Sequence, residues 1–402
     1  MTALDPPTGS RPSALSHMST DYARNARSQA AAFSRTYDAV FAAAKAYRDV
    51  GDLVVADLGA ADGVNSHELI TALARERVGR GLHYAMVDLP SNVWQVGAGH
   101  LAQLADRSGD SERFAVIPDG ETPRELVRDV GTGDHFATPG DHLQALREAS
   151  MREPRPTVVV SLAGIPIQTG PCLPAGTVHI AVSGTTMHWV SASGGLASTG
   201  SVFPGYRNHR DVEQRAAWAA AAARDWKRIL QHRAEELAVG GTLVAAVPAS
   251  INPWPDSGGA YREIIADMDE ILAQWRANGR IGAVAQAAVV VPVWCRTLEE
   301  IRAPFDDQGG AVNGLTLESA EIFSLDNPYW DDDPQVFAED YVRSVEAWGG
   351  PLFARAFAIE GIDASADLLR DLHVALVSRV AGNPQRYRWD YDEALIICRN
   401  TG

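Results

Sequence analysis

The chain has 402 residues, 46% of them hydrophobic and 21% charged, enough apolar material for one large domain with insertions or for two domains. Its 51 acidic and 35 basic residues leave a net charge of −16, which argues against a nucleic-acid partner or an anionic membrane surface, because phosphate binding needs a basic face. Three widely spaced cysteines suggest neither a zinc site nor a disulfide framework, no apolar run reaches the roughly 20 residues that cross a bilayer, and the polar N-terminus lacks a signal-peptide pattern, so a reducing, cytoplasmic setting is expected.

Residues 1–20, rich in Pro, Ser, Thr and Gly, read as a disordered tail. Beyond Tyr22, apolar residues at Ala31, Ala32, Phe33, Val40, Phe41 and Ala44 recur at helical spacing and predict one or two helices. The apolar run 53–58 ends at a glycine and is followed by a helical pattern over 66–78, a strand, turn and helix that open a doubly wound sheet. Residues 131–140, inside a long connection at 110–155, read as an exposed loop.

Further strands are predicted at 83–88, 157–163, 177–182, 243–247, 287–291 and 394–398, and helices between them imply an α/β, mostly parallel sheet. An Ala-rich helix over 209–239 should stop at Gly240-Gly241. Helical patterns over 260–278 and 336–380 interrupt the alternation and predict an α-helical cap over the sheet's carboxyl edge. The core is then expected at 21–250, continued by 284–297 and 390–402, with the cap at 251–283 and 298–389. The acidic cluster 326–334 resembles a cation site, but Asp and Pro cluster in turns for backbone reasons, and a solvated turn is the expectation.

Two segments carry chemistry. Gly59 and Gly63 bracket the turn in Asp57-Leu58-Gly59-Ala60-Ala61-Asp62-Gly63, where glycine lets the backbone approach a ligand. Asp88 ends the second predicted strand, where an acidic side chain accepts ribose hydroxyls. Such a turn alone is also an ordinary strand-to-helix connection. It lacks the three glycines of the dinucleotide fingerprint, which weighs against a nicotinamide-dependent oxidoreductase, whereas S-adenosyl-L-methionine has no pyrophosphate to cradle. The segment Ser183-Gly184-Thr185-Thr186-Met187-His188-Trp189-Val190-Ser191 ends in adjacent His and Trp, two donors able to grip a carboxylate. A methyl donor and a carboxylate acceptor are the simplest pair.

These blocks resemble the SABATH family of carboxyl methyltransferases, known from salicylate, benzoate, jasmonate and indole-acetate methylation. Tyr22-Ala23-Arg24-Asn25-Ala26-Arg27-Ser28-Gln29 is similar to its N-terminal segment, Asp57 to Asn65 to its glycine turn, and Asp88-Leu89-Pro90-Ser91-Asn92 to its Asp-Leu-Pro block. Ser183 to Ser191 resembles its Ser-Ser-Tyr-Ser-Leu-His-Trp-Leu-Ser signature, and Arg233, Glu236, Leu237, Gly240 and Gly241 resemble a later helix end. The similarity spans residues 22 to about 325.

The resemblance implies a Rossmann-like methyltransferase sheet with a helical cap, a homodimer, and methyl transfer from S-adenosyl-L-methionine to the carboxylate of a small hydrophobic acid, leaving S-adenosyl-L-homocysteine. It assigns Tyr22, Asn25, Asp57, Gly59, Ala60 and Asn65 to the donor, with Asp88, Leu89, Ser183 and Gly184. Ile167-Gln168 stand where relatives frame adenine with Ser-Phe. Gln29, Thr185, His188 and Trp189 fall on the acceptor side, with Gln29, His188 and Trp189 acting on the carboxylate. Ala26 replaces a donor-holding serine, and Thr185 replaces an aromatic, which widens the acceptor pocket. Ala287, Val289 and Val290 stand where some relatives ligate magnesium, so no metal is expected. Methylation of a non-carboxylate oxygen or nitrogen, and a catalytically silent ligand-binding homologue, are the rival readings.

Overall fold

In the computed structural model, which describes residues 22–77, 80–92, 114–117, 158–191, 196, 201–204, 212–251, 261–306 and 312–402, the sheet is built on runs of buried β-branched and small residues. Three helices come first, α1 (Tyr22–Asn25), α2 (Arg27–Ser34) and α3 (Tyr37–Ala46). They lead to β1 (Asp52–Leu58), α4 (His67–Glu76), β2 (Gly81–Asp88), β3 (Phe114–Ile117), β4 (Val158–Gly164) and β5 (Val178–Gly184). The long helix α5 (Val212–Glu236) then runs straight into β6 (Leu237–Pro248). Every residue of β4 is buried, as expected of a strand covered on both faces.

Among the described residues the sheet has eight strands in the order β3-β4-β2-β1-β5-β6-β8-β7, where β7 is Leu315–Leu325 and β8 is Tyr391–Asn400. Pairings from β3 to β6 are parallel, and β8 runs antiparallel to both neighbours. Helices α3 and α4 bury Val40, Ile70 and Leu73 on one face, and α5 buries Trp226, Ile229 and Leu230 on the other, which makes the sheet doubly wound.

The cap helices are α6 (Arg262–Ala277), α7 (Ala283–Ala288), α9 (Pro334–Phe357) and α10 (Ile362–Gly382), with α8 (Leu298–Asp306) lying between α7 and α9 in the chain. Their shared core contains Met268, Phe337, Tyr341 and Leu372, and it also takes in Trp189 after β5 and Tyr391 at the start of β8. Both of those lie at the carboxyl edge, so the cap sits there. The acidic cluster is a turn that leads into α9, where the Asp333 carboxylate at the N-cap accepts the N–H groups of Gln335 at 2.8 Å and Val336 at 3.4 Å and Pro334 occupies the first turn.

Several boundaries differ from the sequence reading. Strand β6 begins at Leu237, not 243, and Gly240-Gly241 lie inside it rather than stopping a helix. The ladder to β5 is irregular there, and a Cβ on Gly241 would sit 3.0 Å from the Val178 carbonyl. The expected strand at 287–291 is instead the end of α7 and an extended stretch, because β8 occupies the place beside β6; Val289, Val291 and Val293 bury against the cap core. Residues 298–306 and 315–325, expected in the cap, instead pack with the sheet, with Ile301 of α8 on its face and β7 at its edge. Strands β3 and β7 were not anticipated. The predicted tail and the loop at 131–140 lie outside the described residues. Among the described residues no helix is long and apolar enough to cross a membrane.

Candidate active site

Strand order reverses between β1 and β5, and ligands of open α/β sheets bind where strands diverge at such a point. A cavity of about 310 Å³ lies there, lined by Gly59, Ala60, Asn65 and Gly184. The turn after β1 is tight: Gly59, Ala61 and Gly63 have φ of 85°, 50° and 76°. A Cβ on Gly59 would meet the Thr186 side chain at 2.0 Å, and one on Gly184 would meet Phe33 at 2.7 Å, so glycine alone fits both walls.

Side chains from β1 and β2 hold this turn. Asp88 accepts the N–H of Ala61 at 2.7 Å and that of Leu89 at 2.6 Å, while the Asn92 amide donates to the Ala61 carbonyl at 2.6 Å. Asp57, at the cavity, accepts the hydroxyls of Ser66 at 2.5 Å and Tyr84 at 2.8 Å. Burial pushes both carboxyls up from 3.8 to about 6, against the lowering effect of those donors.

The segment after β5 is a turn pinned from outside. Thr185, with φ 52°, donates its N–H to the Ala246 carbonyl at 2.7 Å. Trp189 bridges to Val293, and the N–H of Trp294 meets the His188 carbonyl at 2.9 Å. Buried Arg296 donates to the carbonyls of Met187 at 3.0 Å and Ala222 at 2.9 Å. Burial, reinforced by the Arg296 charge, lowers the His188 imidazole to about 3, so it is neutral at physiological pH. Thr185 and Ala61 are the two non-glycine residues with left-handed backbone among the described residues, and both serve this region.

His188 and Trp189 open onto a second cavity of about 720 Å³ beneath the cap, walled by Phe203, Val291 and Trp348. The two cavities share Tyr22, Gln29 and Thr185. Gln29 stands at the junction with its Oε1 accepting the Ser28 hydroxyl at 2.9 Å, and its Nε2 is the donor end of the amide.

Of the residues singled out from sequence, Tyr22, Gln29, Asp57, Gly59, Ala60, Asn65, Gly184 and Thr185 border the smaller cavity, and His188 and Trp189 border the larger. The others fall elsewhere. Ser183 donates to the Leu58 carbonyl at 2.8 Å and ties β5 to β1. Asn25 offers its carbonyl to the Tyr329 hydroxyl at 2.7 Å. Ile167 is core, its loop held by a guanidinium N–H of Arg233 at 3.5 Å, and Gln168 is buried beside it. Asp88 and Leu89 shape the turn without bordering either cavity. Sequence reasoning missed Tyr261, Tyr391 and Glu393, which line the larger cavity from the cap and from the antiparallel strand. None of the three lies within a motif block, so they left no local signal. Among the described residues no group of three or more His, Cys, Asp or Glu is placed to hold a metal ion.

A doubly wound sheet with a glycine turn at its switch point and a capped second cavity defines a methyltransferase of the Rossmann-like type. The family described as SAM dependent carboxyl methyltransferase matches residues 147–379, more than half of the chain, and the chain belongs to that family. Among solved structures, loganic acid methyltransferase with S-adenosyl-L-homocysteine is 15% identical, covers 97% of this chain and 99% of its own, and superposes with a TM-score of 0.65, a likeness of fold. A putative sarcosine dimethylglycine methyltransferase from Galdieria sulphuraria is 12% identical over 90% of this chain and 84% of its own, at a TM-score of 0.33. No curated protein matches. The chain is therefore a member of the S-adenosyl-L-methionine-dependent carboxyl methyltransferase, or SABATH, family.

Proposed function

We propose that the protein methylates the carboxylate of a small, largely apolar acid to give a methyl ester. The supporting observation is that the donor and acceptor cavities meet at Tyr22, Gln29 and Thr185. The residues present suit the donor: Gly59 and Gly184 admit it, Asp57 borders it with a carboxylate, and Asp88 holds the turn that walls it by accepting the N–H groups of Ala61 and Leu89. When bound, S-adenosyl-L-methionine supplies an electrophilic methyl group on a sulfonium sulfur.

The acceptor needs no general base, because a carboxylic acid of pKa about 4 is already ionised at neutral pH. His188 agrees with that, since an imidazole lowered to about 3 by burial and Arg296 is too weak a base to take up a proton at neutral pH, and it serves as a polar wall. Gln29 Nε2 and the Trp189 indole N–H hold the carboxylate by hydrogen bonds at the junction. Fixing the acceptor in line is worth up to roughly 7–11 kcal/mol as effective molarity, the main work left to the protein. The apolar wall of Phe203, Val291 and Trp348 excludes water and selects the hydrophobic body.

The test is incubation of the purified chain with methyl-labelled donor and a panel of aromatic, terpenoid and fatty acids. Label recovered in an alkali-labile ester supports the reading. Alkali-stable label points to oxygen or nitrogen methylation elsewhere, and donor binding without turnover on any acid points to a silent homologue.

A further inference from the structure

The acceptor cavity is apolar along Trp189, Phe203 and Val291, but one wall is built differently. Tyr391 and Glu393 stand two residues apart at the start of β8, so their side chains leave the same face of the strand, and both line the cavity. Tyr261, at the start of α6, sets its ring edge-on to Tyr391 with centroids 5.3 Å apart and lines the cavity as well.

Glu393 is only 3% exposed and Tyr391 4%. The Glu393 Oε2 is buried with no hydrogen-bond partner, and beside it the hydroxyls of Tyr391 and Tyr261 are buried within reach of each other, Tyr261 also lying near Ser28, but without well-aligned bonds. Buried polar groups are nearly always paired in folded proteins, and a carboxyl is among the costliest to leave alone. Methyl transfer to a carboxylate uses none of the three, and none of them borders the donor cavity. A buried carboxyl oxygen without a partner, set beside two tyrosine hydroxyls on one wall of a binding cavity, is best explained by a partner that arrives with the ligand.

We propose that the acceptor acid carries a hydroxyl group away from its carboxylate, and that Glu393, with Tyr261 and Tyr391, selects for it. This inference rests on the carboxyl-methylation reading above. Burial, together with Asp392 next to it, holds the Glu393 carboxyl well above its ordinary value, which favours the protonated form. A neutral carboxyl has one O–H donor and spare acceptor capacity, which lets it pair with a hydroxyl in both directions. An ammonium group would gain no ion pair there.

Matched acids test this: octanoic against 8-hydroxyoctanoic, cyclohexanecarboxylic against 4-hydroxycyclohexanecarboxylic, and cinnamic against 4-hydroxycinnamic. Binding to the full chain loaded with S-adenosyl-L-homocysteine is measured by calorimetry, and turnover by ester formation. In at least one pair the hydroxy acid is expected to be favoured tenfold or more. Glu393→Gln keeps that preference, and Glu393→Leu abolishes it while leaving the deoxy acid within threefold of wild type. Should Glu393→Leu fail to fold, Tyr391→Phe provides the same contrast in weaker form.

Equal loss for both members of each pair, preference for the deoxy acid throughout, or tighter binding of 8-aminooctanoic than 8-hydroxyoctanoic acid overturns the inference. If no ester forms but the binding preference persists, the methylation reading fails and this inference stands. Ester formation without any pair preference leaves the methylation reading standing and overturns this inference.

Discussion

Asp88 accepts the backbone N–H of Ala61 at 2.7 Å, and that bond fastens the end of β2 to the glycine turn after β1. Ala61 holds a left-handed φ of 50°, a conformation that costs a non-glycine residue about 1–2 kcal/mol. The carboxylate offsets that strain and keeps the turn shaped for the donor. A hydrogen bond to a charged group is worth about 1.5–3 kcal/mol. Asp88→Ala is therefore expected to weaken S-adenosyl-L-homocysteine binding by roughly ten- to a hundredfold in calorimetry. A loss below threefold would remove Asp88 from the donor site.

Both Asp57 and Asp88 ionise near pH 6 in the folded chain, raised by burial from 3.8. Their contribution to stability is present below the unfolded value and is lost as pH rises through about 6, so at neutral pH they weigh against the unliganded fold. A bound sulfonium cation favours the ionised pair and recovers part of that loss. The Tm increment given by S-adenosyl-L-methionine should then grow from pH 5 to pH 7 and level off above. An increment that is flat or falls over that range contradicts the assignment.

Trp189 borders the acceptor cavity and not the donor cavity, which separates two readouts. Trp189→Phe keeps most of the packing and removes the indole N–H, so kcat/KM for the acid should fall about tenfold or more while donor affinity stays within twofold. His188, held neutral by burial and Arg296 at a value of about 3, should add no ionisation to the rate profile between pH 6 and 9. His188→Gln is expected to lower kcat/KM by less than tenfold without moving the profile. A rate limb that disappears in this variant would make His188 a proton carrier after all.

Arg233 and Glu236 form a fully buried ion pair at the end of α5, with the Arg233 Nε at 2.6 Å from Glu236. Glu236 also accepts the N–H groups of Cys172 and Leu173, and thereby holds the loop after β4. Removing the carboxylate strands a buried guanidinium and two backbone donors. Glu236→Ala should cost about 3–5 kcal/mol in urea unfolding. A cost under 1 kcal/mol would mean that the loop finds other partners.

The sheet and the donor turn were legible because their signals are local. β1, β2, β4 and β5 are short buried runs bounded by glycine or proline, and Gly59, Gly63 and Asp88 fall at strand ends where spacing alone places them. β7 was not legible, since an edge strand with Glu318 and Glu321 on it is largely exposed and shows no apolar alternation. The run at 287–291 misled for the converse reason: it is an apolar, β-branched stretch as a buried strand is, yet Val289 and Val291 bury against cap helices while β8 takes the place beside β6. The far wall of the acceptor cavity was invisible for want of any sequence spacing, because Tyr261 and Glu393 are brought together by the cap and by an antiparallel strand from the other end of the chain.

The central claim is that one reaction spans two cavities joined at Gln29. A crystal structure of the chain with S-adenosyl-L-homocysteine and a bound acid measures this directly. The sulfur is expected beside Gly59 and Gly184, with a carboxylate oxygen at the Gln29 and Trp189 donors and facing it across the junction. An acid seated with its carboxylate away from Gln29, or a cofactor product lying outside the β1–β5 crevice, would contradict it.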